Sequence, residues 1–169
     1  GAQATILDAG DAGSVFKITR GETPNTIIRG FTITGGTGTL HDTLLHGGAF
    51  YIKDSSPTIE DCTITGNVAQ MGAGGSVDHG SPRFNNCVFQ DNYATIDGGG
   101  LRFTAFSFPV FNDTSFLNNG ASVYGGAINY AFDSLPGWAG ARDGTIDVSW
   151  FSSWQFENTT QVLPTLPST

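Results

Sequence analysis

Short apolar runs alternate with polar residues at period two along most of this chain. Each run is cut by Gly, Asn, Asp or Ser-Pro before a helix could form. The runs also recur. GGAFYIKDSSPTIEDCTITGN spans residues 47–67, GAGGSVDHGSPRFNNCVFQDN residues 72–92, and GGGLRFTAFSFPVFNDTSFLNN residues 98–119. Pro57, Cys62 and Asn67 reappear 25 positions on as Pro82, Cys87 and Asn92. A further step of 27 carries Pro82 and Asn92 to Pro109 and Asn119. Self-similarity at such a period marks a solenoid. Helical repeats would need spacing of three and four with few glycines, whereas these runs favour Ile, Phe, Thr and Val. The pattern therefore predicts an all-β, right-handed, single-stranded parallel β-helix of about five coils of 25–31 residues.

Stacking one coil on the next puts like above like. The predicted inward rows are Ile28, Ile59, Phe84, Phe111; then Ile33, Ile64, Phe89, Phe116; and between them Phe31, Cys62, Cys87, Thr114. Another wall carries Phe50, Gly75, Leu101, Ile128 beside Ile52, Val77, Phe103, Tyr130. Asn67, Asn92 and Asn119 form an asparagine ladder at a turn, where Asn is expected to tolerate a left-handed backbone and to bond its neighbour in the next coil. Cys62 and Cys87 form a short inward ladder. Their spacing favours stacked free thiols over a disulfide, whose geometry is demanding.

The solenoid domain is read as residues 1–158, with excursions at 36–46 and 133–144, followed by an extended Pro/Thr/Ser tail at 159–169. The first excursion bears His41, Asp42 and His46; the second bears Trp138 and Arg142. Trp150 and Trp154 suit a core closure, since a solenoid needs caps. No amphipathic cap helix is visible near the N-terminus, which suggests an end that meets further chain or a partner.

Composition narrows the function classes. A net charge of −8 argues against nucleic acid and anionic membrane surfaces, which need a basic footprint. No apolar run is long enough to span a bilayer as a helix. The 24 glycines and 13 % charged residues are typical of extracellular β-rich surfaces.

Gly47-Gly48-Ala49-Phe50 and Gly125-Gly126-Ala127-Ile128 resemble the GGA-aliphatic motif of the polymorphic outer-membrane protein repeats. Phe89-Gln90-Asp91-Asn92 and Phe116-Leu117-Asn118-Asn119 resemble its companion F-x-x-N motif, with Ile64-Thr65-Gly66-Asn67 a variant. The stretch 26–132 is also similar to the repeats of the pectate-lyase-like superfamily. The coil at 72–92 departs from the motif with Gly72-Ala73-Gly74, and no membrane barrel follows the repeats. The resemblance implies a secreted or surface-displayed β-helix, commonly an adhesin or passenger region.

Candidate chemistry lies on the wall beside Phe50 and Ile52. Its outward columns are Tyr51, Ser76, Arg102, Asn129 and Lys53, Asp78, Thr104, Ala131, with His79 adjacent. A polysaccharide lyase would set a calcium-binding acid cluster and a basic residue there, casting Lys53, Asp78 and Arg102 as catalytic candidates. One acid is few for calcium or for a hydrolase pair, so a solvated polar wall is the plainer reading and no cofactor is assigned. His41, Asp42 and His46 are a thin metal set. Asp61, Asp91 and Asp97 read as turn residues, and Thr32, Thr34, Thr63 and Thr65 as ordinary strand positions. Tyr51, His79, Trp138 and Arg142 are the binding candidates, and Asn112 and Asn158 head glycosylation sequons. The favoured function is a non-catalytic extracellular or cell-surface module, adhesin-like or filament-building, contacting glycan, cell-surface protein or copies of itself. The alternatives are a carbohydrate-active enzyme fragment and a self-stacking structural subunit.

Overall fold

In the computed structural model, residues 5–104, 106–131, 155–157 and 160–162 are described. The chain enters through β1 (Ile6–Asp8), β2 (Phe16–Ile18), β3 (Ile27–Arg29) and β4 (Thr32–Thr34). A hairpin follows, β5 (Thr39–His41) and β6 (Leu44–His46). The next coil is β7 (Phe50–Lys53), β8 (Thr58–Glu60), β9 (Thr63–Thr65) and β10 (Val68–Met71). It is succeeded by β11 (Gly75–Asp78), β12 (Arg83–Asn85), β13 (Val88–Gln90) and β14 (Tyr93–Asp97). Then come β15 (Leu101–Thr104), β16 (Val110–Asn112), β17 (Ser115–Leu117) and β18 (Gly120–Ala121), and finally β19 (Ile128–Ala131), β20 (Gln155–Glu157) and β21 (Thr160–Val162).

The strands stack into four walls. Wall I runs β2-β7-β11-β15-β19, wall II β3-β8-β12-β16-β20, wall III β1-β4-β9-β13-β17-β21 and wall IV β5-β6-β10-β14-β18. Every pairing is parallel except the hairpin β5–β6. The architecture is an all-β parallel solenoid of about five turns, with no helix among the described residues. No helix among them is long and apolar enough to cross a membrane.

The inward rows stand as the periodicity places them. Ile28, Ile59, Phe84 and Phe111 are in register on wall II, and Ile64, Phe89 and Phe116 on wall III. Phe84 stacks on Phe111 at 5.4 Å and Phe89 on Phe116 at 5.0 Å, while Phe84 meets Phe89 edge-on. Near-parallel rings up the axis and perpendicular rings across it pack the core.

The corners explain the rest of the repeat. All four turn through a residue with positive φ, repeated coil after coil; between walls I and II it is Asp54, His79 and Phe106. Between walls II and III it is Gly30, Asp61, Asn86 and Asp113; between III and IV it is Gly35, Gly66, Asp91 and Asn118. Between IV and I it is always glycine: Gly47, Gly72, Gly98 and Gly125. The asparagine ladder therefore differs from expectation in one respect. Asn67, Asn92 and Asn119 follow the left-handed residue and do not occupy it. They point inward, fully buried. Asn67 Nδ2 donates to Asn92 Oδ1 and Asn92 Nδ2 to Asn119 Oδ1, each at 2.9 Å. The same oxygens accept the backbone N–H of Asn67 and Asn92, and the amides also donate to the carbonyls of Ile33, Ile64 and Phe89. The ladder thus satisfies backbone groups that the corner removes from the strand ladders.

Coil length is less uniform than the sequence spacing implies. The step from Phe111 to its partner Phe156 is 45 residues, beyond the expected 25–31, because residues 132–154 intervene on that turn. The excursion at 36–46 is the hairpin, whose β5 lies at the edge of wall IV where a preceding coil would otherwise stack. β21 pairs in parallel with β17, so the solenoid continues past residue 158 into the segment read as a tail. Trp138, Trp150 and Trp154 fall outside the described residues.

Replacing Asn92 with Ala removes four buried hydrogen bonds and strands the Asn67 backbone N–H. Urea unfolding is expected to register a loss of about 3 kcal/mol or more. Replacing the exposed Asn118 with Gly, which suits its left-handed φ, should change stability by less than about 1 kcal/mol.

Candidate functional site

The outward columns of wall I are the place where sequence gathers ionisable side chains. Residues in register there are Tyr51, Ser76, Arg102 and Asn129, and beside them Lys53 and Asp78. The first column is not the solvated surface expected. Tyr51 is 4 % exposed, Ser76 2 %, Arg102 9 % and Asn129 2 %. The cause is the glycine corner between walls IV and I. Each left-handed glycine lies four positions before a member of the column and folds back over it. A Cβ on Gly98 would come within 2.8 Å of Arg102 Cβ, and one on Gly125 within 2.7 Å of Asn129 Cβ. Gly47 and Gly72 press in the same way on the Cα atoms of Tyr51 and Ser76.

Over Tyr51 lies the hairpin. The rings of His41 and His46 approach it at 5.9 and 6.5 Å and each other at 5.7 Å. Burial drives the His46 imidazole down to about 4, helped by the Arg102 guanidinium and His41, against the opposing pull of Asp42 and Asp78. Asp97, at the end of β14, is pushed up by burial despite the nearby Arg102, and its Oδ1 is buried without a hydrogen bond. Burial also raises the Tyr51 phenol.

At the far end of the wall the acid is fully engaged. Asp78 Oδ1 accepts from the Thr104 hydroxyl at 2.7 Å and lies 2.6 Å from His79 Nδ1, while Oδ2 lies 3.4 Å from Lys53 Nζ. Burial raises the Asp78 carboxyl, but the bonds from Thr104 and His79 and the Lys53 charge outweigh it and hold the group below its usual value. His79 itself turns the corner at φ 53° and stacks on the exposed Phe106 ring at 5.6 Å.

The catalytic candidates are therefore only partly united. Lys53 and Asp78 are an ion pair, whereas Arg102 sits beneath the glycine corner towards Asp97 and His46. Among the described residues no group of three or more His, Cys, Asp or Glu is placed to hold a metal ion. His41 and Asp42 stand 3.8 Å apart at the hairpin tip, where Asp42 takes the left-handed φ of a turn. Trp138, Arg142 and Asn158 lie outside the described residues. Asn112 donates to Asn85 Oδ1 at 2.7 Å, and its sequon hydroxyl, Thr114, is wholly buried and bonded to the Phe84 carbonyl.

Cys62 and Cys87 are buried free thiols whose Sγ atoms approach the Ile28 and Ile59 carbonyls. Burial raises both, Cys87 most, which keeps them protonated and unreactive. A shallow hollow of about 540 Å³ opens outside them, lined by Arg29, Asp61, Thr63, Asn86 and Val88. Its polar groups are engaged with one another, Arg29 with Glu60 and Asn86 with Asp61. Sequence reasoning overlooked Asp97 as a buried acid and the glycine cover over the column. The signal for the second was present: a glycine four residues before each polar member.

Because the folded chain depresses the His46 value from 6.5 to about 4, His46 stabilises the fold when neutral. That contribution is complete above pH 6.5 and is lost as pH falls towards 4. Thermal melts at pH 7 and pH 4 should show wild type losing about 1–2 kcal/mol more than His46→Gln over that interval, after allowance for partial exposure. Equal losses would deny His46 this role.

A family model described as right-handed beta helix region matches residues 9–134. No curated protein and no solved structure matches the chain. The matched span covers the corner glycines, the asparagine ladder and the stacked inward rows together, and the chain belongs to the right-handed β-helix family.

Proposed function

We propose that the chain is a non-catalytic recognition scaffold, an adhesin-like β-helix module of an extracellular or cell-surface protein that meets glycan or protein through its outer walls. The state of Asp78 carries this reading. A lyase or hydrolase site on wall I would need a carboxylate free to bind calcium or move a proton, with a second acid converging on it. Asp78 is instead tied to Thr104, His79 and Lys53, and its column neighbours are a lysine and a threonine. The column beside it is buried, which leaves no open groove along Tyr51, Ser76 and Asn129 for a polysaccharide to enter. The resemblance of its motifs to the polymorphic outer-membrane protein repeats supports the surface placement: the GGA residues form the corner between walls IV and I, and the F-x-x-N residues supply the core phenylalanine and the ladder asparagine. Incubation with neutral and acidic polysaccharides, followed by assays for new reducing ends and unsaturated products, should detect no turnover. Turnover abolished by Asp78→Asn would overturn the reading.

A second reading, end-to-end stacking of copies, is favoured by one observation. Among the described residues no strand pairs with the outer edges of β1, β2, β3 and β5, and Ile6, Ile27 and Leu40 stand exposed there. Light scattering over a hundred-fold concentration range should then show mass growing with concentration. Lys substituted at Ile6 and Ile27 should abolish that growth, and a constant monomer mass removes this reading.

A further inference from the structure

Wall IV presents an uncharged outer face across β10, β14 and β18. Its outward positions form two rows across the strands. One is Val68, Tyr93 and Gly120, in register from β10 to β18. The other is Gln70 and Thr95, two residues further along β10 and β14 where the register shifts between Ala69 and Met71, with Ser122 just beyond the end of β18. None of the six carries a charge, in a chain whose net charge is −8. Val68 and Tyr93 are each 47 % exposed, and Thr95 and Ser122 are exposed beside them.

The Tyr93 ring is held in a particular way. Its partner across the strand pair is Gly120, and a Cβ there would sit 3.1 Å from Tyr93 Cδ2 and 3.6 Å from Cε2. The Cδ2–Cε2 edge of the ring therefore abuts a residue with no side chain. Its hydroxyl pairs with the Ser122 hydroxyl at 2.7 Å. Contact of this edge with Gly120 and the tether at Ser122 fix the half-exposed ring beside the next coil. The bare Gly120 is what permits this posture.

We propose that this face binds a neutral saccharide, with Tyr93 as its stacking platform and, as the adjoining hydrogen-bonding row, Thr95, Ser122 and the amide N–H groups of Gln70, whose Oε1 accepts the Leu45 backbone N–H at 2.8 Å. The proposal deepens the recognition-scaffold reading and rests on it. A pyranose is itself two-sided: a C–H face that packs on an aromatic ring, and hydroxyls at its edge that seek hydroxyl and amide partners. The paired rows match that division. Uncharged outward positions on an acidic protein disfavour a polyanionic chain. A protein partner fits less well, because stable interfaces need about 800 Å² on each side and a cluster of buried anchors, whereas one ring and one valine stand here.

The intact chain is run by affinity electrophoresis in gels holding xyloglucan, galactomannan or mixed-linkage glucan, with polygalacturonate as the acidic control. Retardation is expected in at least one neutral gel and not in polygalacturonate. Tyr93→Ala should weaken retardation about ten-fold or more, and Tyr93→Phe, which keeps the ring, only about two- to three-fold. Gly120→Ala keeps the ring but displaces it, and should weaken binding too. Phe106→Ala removes an exposed ring from another corner and should change nothing. Circular dichroism checks that each variant is folded. If the chain is retarded in a neutral gel and Tyr93→Ala is retarded equally, the site is wrong while the scaffold reading stands. Retardation in none of the neutral gels, or only in polygalacturonate, overturns the saccharide proposal and leaves the scaffold reading to the cleavage assay.

Discussion

Every coil of this molecule must turn its corners at the same places as the coil beneath it. Parallel pairing fixes strand on strand at about 4.8 Å, so a corner that slipped by one residue would reverse every side chain on the wall that follows. The chain meets this constraint by repeating a left-handed residue at each corner, most often Gly, Asp or Asn, with His79 and Phe106 between walls I and II. Asn67, Asn92 and Asn119 bond one another and the backbone at once. Corner and register are thus one interaction: a shifted coil would lose its asparagine partners as well as its core packing.

Inward and outward positions accordingly carry different information. Inside, a Phe row succeeds an Ile row because the volume available is set by the coils above and below, and larger rings appear where Gly74, Gly75 and Gly100 make room. A Cβ on Gly100 would lie 2.9 Å from the Phe116 ring, and one on Gly74 the same distance from the Phe89 ring. Outside, the row on wall I is claimed by the glycine corner. Its polar residues serve the scaffold, as do the paired Asn85–Asn112 and Asp61–Asn86 on the neighbouring corner and wall.

What sequence could reveal follows from this division. The inward rows were legible because the core imposes period two and repeats it coil by coil, so Ile59, Phe84 and Phe111 identify one another. The asparagine ladder was legible as a column but not in its backbone, since Asn commonly accepts a left-handed φ and nothing in Asp91-Asn92 or Asn118-Asn119 says which of the two does so. The burial of Tyr51, Ser76 and Asn129 was hidden because it depends on a backbone fold-back, not on the residues buried. The hairpin at Thr39–His46 was hidden too, its antiparallel pairing being a local event inside a parallel repeat.

The same reasoning locates where a scaffold of this kind has room to evolve function. Wall I sets its outer column against the corner glycines, and on wall II outward groups are engaged in pairs, Arg29 with Glu60 and Asn112 with Asn85. On wall IV the corner glycines lie at the strand ends and fold towards wall I, so the outer rows remain uncovered. Substitutions there alter neither register nor core. A tyrosine can be set edge-on against a glycine of the next coil, because Gly120 in its two-residue strand has no side chain to displace. A wall whose side chains are not needed for folding is the one on which recognition is free to be written.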